Sequence, residues 1–149
     1  DIVNDWSEKS LADIVYGYGE EKYGRRIAKC IVETRKDREI KTTKDLLEII
    51  ERAVPNFYRR KKLHFATKTF QALRIAVNDE LGSLKEGLEN GFNALKRGGR
   101  MSVISFHSLE DRIVKNFFKE KKKPILANSE ELKNNIRARS AKLRILEKN

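Results

Sequence analysis

Hydrophobic positions in the first third of the chain recur at helical spacing. Leu11, Ile14, Val15 and Tyr18 follow an i, i+3, i+4, i+7 pattern behind Ser7, a residue type suited to capping, so a helix is expected there. Gly17 and Gly19 interrupt it. A second helix is expected over residues 20–35, with Tyr23, Ile27, Cys30, Ile31 and Thr34 on one face and Lys22, Arg25, Arg26 and Lys29 on another. A third opens with the capping-box pair Thr42 and Asp45, turns Leu46, Leu47, Ile50, Ala53 and Val54 inward and stops at Pro55. These three form a small bundle.

Residues 55–68 break the pattern, because Arg59, Arg60, Lys61 and Lys62 lie among the rings of Phe57, Tyr58 and Phe65. Cations that grip phosphates beside rings that stack on unpaired bases are the two parts of single-strand recognition. The rings are equally readable as core residues and the basic run as a solvated linker. Over residues 66–81 a stripe of Phe70, Leu73, Val77 and Leu81, flanked by Ala72, Ile75 and Ala76, predicts a largely buried helix. Thr67, Gln71, Arg74 and Asn78 form a polar ridge along it, either satisfied by neighbouring elements or lining a cleft. A helix over 83–96 carries Leu84, Leu88, Phe92 and Leu95 and ends at Gly98 and Gly99. The β-branched run over 100–106 predicts a strand, followed by a helix over Leu109, Ile113, Val114, Phe117 and Phe118 for which Ser108 and Asp111 are the expected capping box. After a short acidic helix near Ser129, the alternation of Ala141, Leu143 and Ile145 with Lys142 and Arg144 predicts a second strand. Two strands make a marginal sheet, so an α/β fold that is mostly helical, with part of its sheet elsewhere, is the expected class. An open strand edge of that kind invites pairing with a second copy, that is, a homo-oligomer.

Composition changes the picture in one respect. The 149 residues carry 33 Lys and Arg against 22 Asp and Glu, a formal charge of +11, which favours a polyanionic partner through counterion release. With 39% hydrophobic residues, only 2 prolines and a single cysteine, the chain reads as a helical globular protein of a reducing, cytoplasmic compartment without disulfides. Apolar runs fall short of the ~18 residues that a membrane helix needs, so no membrane association is expected. The first residue is Asp1 and not Met, which suits a piece of a longer product.

Chemistry points to the turn after the first strand, since open α/β sheets bind ligands beyond the carboxyl ends of their strands. Ser105, His107 and Ser108 stand there, and a neutral His107 at a helix start suits a hydrogen-bond acceptor or base. Glu110 and Asp111 read first as helix-capping groups. Gly17, Gly19 and Gly24 lack the spacing and the preceding strand of a dinucleotide motif. Two histidines and one cysteine, scattered as they are, make no metal site. Cys30, on its helix's apolar stripe, reads as a small core residue.

The run FATKTFQALRIAVNDEL over 65–81 and the run RMSVISFHSLEDRIVKNFF over 100–118 closely resemble the RsmH/MraW family of ribosomal small-subunit RNA cytosine-N4 methyltransferases. YGYGEEKYGRRIAKCIVETR over 16–35 resembles that family's helical insertion, and IRARSAKLRILEK over 136–148 its carboxyl end. The resemblance implies a partial class I, Rossmann-like methyltransferase fold, with residues 1–81 as a helical insertion that recognises substrate and 82–149 as the carboxyl-terminal part of the methyltransferase domain. It implies S-adenosyl-L-methionine as cofactor, bound mostly by an amino-terminal half with no counterpart here. A surface loop over 120–125 is expected to be shorter than in the family. The implied partners are ribosomal RNA, the small ribosomal subunit and that missing half, and the implied reaction is methyl transfer to a decoding-centre cytidine.

Cytosine N4 is a poor nucleophile, so the site must orient it and accept its proton, after the base has left its stack. Ser105, His107, Ser108 and Asn78 are the expected catalytic group. Thr67, Gln71 and Arg74, with Arg59, Arg60, Lys61 and Lys62, are the expected RNA contacts, and ridge and turn are expected to face one crevice. The alternatives are a stand-alone helical RNA-binding module without catalysis and, more remotely, a DNA-binding helical protein, for which no helix-turn-helix spacing stands out.

Overall fold

The computed structural model describes residues 1–119 and 123–149, which fall into two compact units, Asp1–Asp79 and Glu80–Asn149. The shortened loop expected at 120–125 falls in part on residues 120–122, outside the described ones.

The first unit is all helix: α1 (Ile2–Asp5), α2 (Glu8–Gly17), α3 (Gly24–Asp37), α4 (Thr43–Ala53), α5 (Asn56–Arg59) and α6 (Thr67–Asn78). Ser7 caps α2, and Thr42 and Asp45 form the expected reciprocal box on α4, which holds the Asp45 carboxyl below its ordinary value through its bonds from Thr42. Leu11 and Val15 from α2, Ile27, Ala28 and Ile31 from α3, and Leu46, Ile49, Ile50 and Ala53 from α4 close the core, with Cys30 packed at its margin. Gly19 is required by close approach, because a Cβ there would lie 2.6 Å from the carbonyl oxygens of Lys68 and Val15.

Helix α6 departs from expectation. It buries Thr69, Ala72 and Ile75, whereas Val77 is 68% exposed. Thr69 and Ala72 on that face are small enough for α6 to pack on α2, and Phe70 and Leu73 of the apolar stripe are partly buried against the core. It ends earlier than expected, at Asp79, whose left-handed φ of 45° stops the helix.

The second unit contains α7 (Glu80–Ala94), β1 (Arg100–Ser105), α8 (Ser108–Phe117), β2 (Ile125–Leu126), α9 (Ser129–Asn134), a 3-10 turn (Ile136–Ser140) and β3 (Lys142–Glu147). The sheet order is β1-β3-β2, with β3 antiparallel to both neighbours, so β1 and β2 run the same way. Gly98, at φ 78°, makes the turn into β1, and its N–H donates to Lys148 O at 2.7 Å to extend the ladder. The Lys148 ammonium caps the end of α7 by donating to the Phe92, Asn93 and Leu95 carbonyls. Leu88, Val114 and Phe118 form a small core, joined by Met101, Val103 and Leu146 from one face of the sheet. The other face leaves Ile104, Ile125 and Ile145 exposed. No helix is long and apolar enough to cross a membrane among the described residues.

Candidate functional site

Chemistry gathers at one place in each unit. In the second, β1 hands the chain to α8 at a corner built by residues 105–108. The expected cap of Ser108 with Asp111 is displaced by one residue, because helical dihedrals begin at Ser108 and His107 is the extended residue before them. The Glu110 N–H donates to His107 Nδ1 at 3.4 Å, while Glu110 Oε2 accepts from the backbone N–H groups of Phe106 (2.8 Å) and His107 (3.2 Å).

This cap determines what His107 offers. With Nδ1 accepting, the proton of the neutral ring is assigned to Nε2, so the ring is a donor and not the acceptor or base that its position in the sequence suggests. Nε2 is buried, 3.3 Å from Glu110 Oε1, which is within ion-pair distance although the angle makes no hydrogen bond. Glu80, at the start of α7, completes a cluster in which one ligand atom from each of Glu80, His107 and Glu110 lies within 4.8 Å of the others. Glu110 already serves two amides, and the start of a helix carries partial positive charge, so the cluster suits the imidazole N–H better than a cation.

The other corner residues separate by depth. Ser108 is exposed, whereas Ser105 is 2% exposed and its Oγ donates to Lys142 O at 3.5 Å. Ser105 thus stands inside the unit and not on its surface. Asp111, released from the expected cap, accepts from Arg144 at 2.8 Å and Lys142 at 3.1 Å. Burial raises its pKa, but the bonds from Arg144 and Lys142 prevail and hold the carboxyl below its ordinary value.

In the first unit, Thr67, Gln71 and Arg74 from α6 line a groove of about 670 Å³ together with Thr43, Lys44 and Leu47 from α4 and with His64, Ala66 and Phe70. Asn78 is exposed at the end of the ridge and is not part of this lining. The ridge therefore faces a recess within its own unit, not a packed core.

The basic segment divides as well. Arg59 is half-buried, paired with Glu51 at 3.2 Å and reaching Val54 O at the end of α4, which makes it a structural cation. Arg60, Lys61 and Lys62 are exposed. Of the three rings, Phe57 is 62% exposed, Tyr58 only 8%, and Phe65 is partly buried and stacked on His64 at 4.4 Å. The Tyr58 hydroxyl donates to Glu21 Oε2 at 2.6 Å, and Glu21 Oε1 accepts from the Tyr23 N–H at 2.9 Å. Burial and that bond to Glu21 push the Tyr58 hydroxyl well above its usual range. Glu21 is fully buried, and no periodicity could reveal it, because α3 begins at Gly24 and Glu20, at φ 49°, turns the chain just before it.

Comparison with known proteins gives the family of the chain. The MraW methylase family matches residues 1–123. The proteins called Ribosomal RNA small subunit methyltransferase H are 56% identical to the chain in Synechocystis sp., 52% in Nostoc punctiforme and 47% in Lactobacillus johnsonii, covering 99% of the chain in each case. The chain spans about half the length of these relatives: 50%, 51% and 54% respectively. On both grounds, the chain belongs to the MraW methylase family.

Proposed function

We propose that this chain is the RNA-gripping and carboxyl-terminal portion of a cytoplasmic, S-adenosylmethionine-dependent enzyme that methylates N4 of a cytidine in small-subunit ribosomal RNA. The family and the name its relatives bear support the reaction class. The observation that carries the reading is the corner after β1, where an imidazole N–H, a hydroxyl and two carboxylates gather at the carboxyl end of a strand.

Methylation of N4 would form a C–N bond as the methyl–sulfur bond of the donor breaks to leave a neutral thioether, and a proton must leave that nitrogen. An acceptor must lie close. Glu110 Oε1, the carboxylate oxygen that the cap does not use, takes that role. His107, with Nε2 beside it, is a positioning residue, as is the interior Ser105. Ser108 is the exposed corner group that meets the base, and Asn78, with Thr67, Gln71 and Arg74, touches the substrate RNA. Arg60, Lys61 and Lys62 neutralise its phosphates.

The described residues do not by themselves fit the methyl donor. The turns from β1 to α8 and from β2 to α9 contain no glycine, and one first-turn amide of each helix, that of Glu110 and that of Glu131, is taken by His107 and Asn128. We assign the donor's site to the other half of the whole protein. The outer edge of β1, with no ladder partner among the described residues and with Ile104 and Phe106 exposed beside it, is where that half adds its strands.

The test is single-turnover methylation of small-subunit RNA by the complete polypeptide that contains this sequence. Glu110→Gln should slow it at least about a hundredfold, the usual weight of a general base, and Asn78→Ala should slow it through a lost contact to the RNA. His107→Asn keeps a good capping residue while removing the imidazole, and should slow the reaction without lowering the melting temperature. Rates near wild type in all three would overturn the assignment.

A further inference from the structure

Two basic segments far apart in sequence share one surface of the helical unit. Lys22, just before α3, places Nζ 4.9 Å from the Tyr23 ring centroid, 5.6 Å from that of Tyr58 and 5.9 Å from that of Phe57. Lys61 Nζ lies 5.1 Å from the Tyr58 ring, and the Arg26 guanidinium 5.9 Å from that of Tyr23. Three cations thus surround one edge-to-face pair, Tyr23 with Tyr58, at 4.9 Å and 78°. The hydroxyl bond of Tyr58 to buried Glu21 anchors the floor of this surface. Phe57 stands exposed at its margin.

From this arrangement we infer that Lys22, Arg26, Lys61 and Phe57 form a single-stranded RNA contact in which Phe57 stacks on an unpaired base and the three cations hold its flanking phosphates. The inference rests on the RNA-modifying reading above and extends it from Lys61, which that reading already uses, to Lys22, Arg26 and Phe57, which lie outside its basic run. Charge and exposure favour this occupant. Lys22, Arg26 and Lys61 have no carboxylate within ion-pair distance among the described residues, in contrast to Lys29, Arg38 and Arg59, each of which has one. A cation over a ring keeps its N–H donors available for a phosphate, while an ion-paired one does not. An exposed ring with Lys22 beside it and Arg26 and Lys61 on the same surface matches the stacking platform and electrostatic track of single-strand binders, whereas duplex RNA, read by shape, offers no free base to stack. Beside it a recess of about 310 Å³, lined by Ala12, Asp13, Tyr16, Lys22 and Arg25, continues the surface onto α2 with a second exposed ring, Tyr16.

The test measures binding of an unstructured oligoribonucleotide to the complete polypeptide by fluorescence anisotropy over a range of salt, with a blunt RNA duplex and a polyglutamate peptide as competitors. Phe57→Ala and Phe57→Leu should weaken binding roughly five- to hundredfold without changing the salt slope, and Phe57→Trp should retain it. Lys22→Ala and Lys61→Ala should each flatten the salt slope by about 0.7, with Lys36→Ala, at the far end of α3, as the unaffected control. The surface is refuted if the Phe57 and Lys variants bind as wild type does, or if duplex or polyglutamate competes as well as the single strand. A wild-type enzyme that still methylates ribosomal RNA alongside such a result separates failure of this surface from failure of the enzymatic reading.

Discussion

The helical unit and the sheet unit solve the burial problem differently. In the first, three helices turn their apolar faces toward one another, and Leu11, Ile27, Ile31, Ile49 and Ile50 are all inaccessible. In the second, the packed cluster among the described residues is Leu88, Val114 and Phe118, while Ile104, Phe106, Ile125 and Leu126 are exposed. A sheet with one bare face and with outer edges on β1 and β2 that pair with nothing among the described residues is a surface prepared for covering. The first unit holds a finished core; the second leaves one face of its sheet exposed among the described residues.

Three measurements sharpen or break that contrast. The largest effect is expected at Asp111, because the small core of the sheet unit leans on an ion pair with Arg144, whose side chain is 4% exposed. Asp111→Ala leaves that charge buried without its main partner and should cost about 3–5 kcal/mol in denaturant unfolding. Its carboxyl is held below the ordinary value, so this contribution is complete above the unfolded value of about 3.9 and fades as pH falls through the folded one. The variant should therefore lose part of the acid limb of the stability profile.

Next comes a matched pair of isoleucines. Ile49→Ala, in the closed core, should cost about 2–5 kcal/mol. Ile104→Ala, on the bare sheet face, should change the stability of this chain by less than about 0.5 kcal/mol. Equal costs at the two positions would mean that the sheet face is already covered. A smaller loss than that of Ile49→Ala is expected at Tyr58→Phe, which takes one hydrogen bond from the buried Glu21 carboxylate and should cost about 1.5–3 kcal/mol. No loss there would show that Glu21 finds another donor and that the aromatic floor is not anchored.

Much of the fold was legible in the residues. The capping box of α4, the glycine turn into β1 and the strand character of 100–105 and 142–147 follow from local rules that neighbours did not override. β2 was not legible, because Ile125 and Leu126 are two exposed residues without period and become a strand only by pairing with Leu143 and Lys142. The cap of α8 was misplaced by one residue, since both Ser108 and His107 have a carboxylate three positions on and local pattern does not choose between them. That single register step changes the proposed chemistry, because it spends the His107 lone pair on a backbone amide.

Family, helical periodicity, the caps of α2 and α4 and the strong positive charge are properties of short segments and of composition, and the sequence alone carries them. Which cations stay unpaired, which of three neighbouring rings reaches solvent, where Ser105 lies and how Glu80 comes to stand beside His107 were decided by the tertiary structure. Each depends on groups brought together by packing from distant parts of the chain. Burial and pairing of that kind leave no period along a sequence.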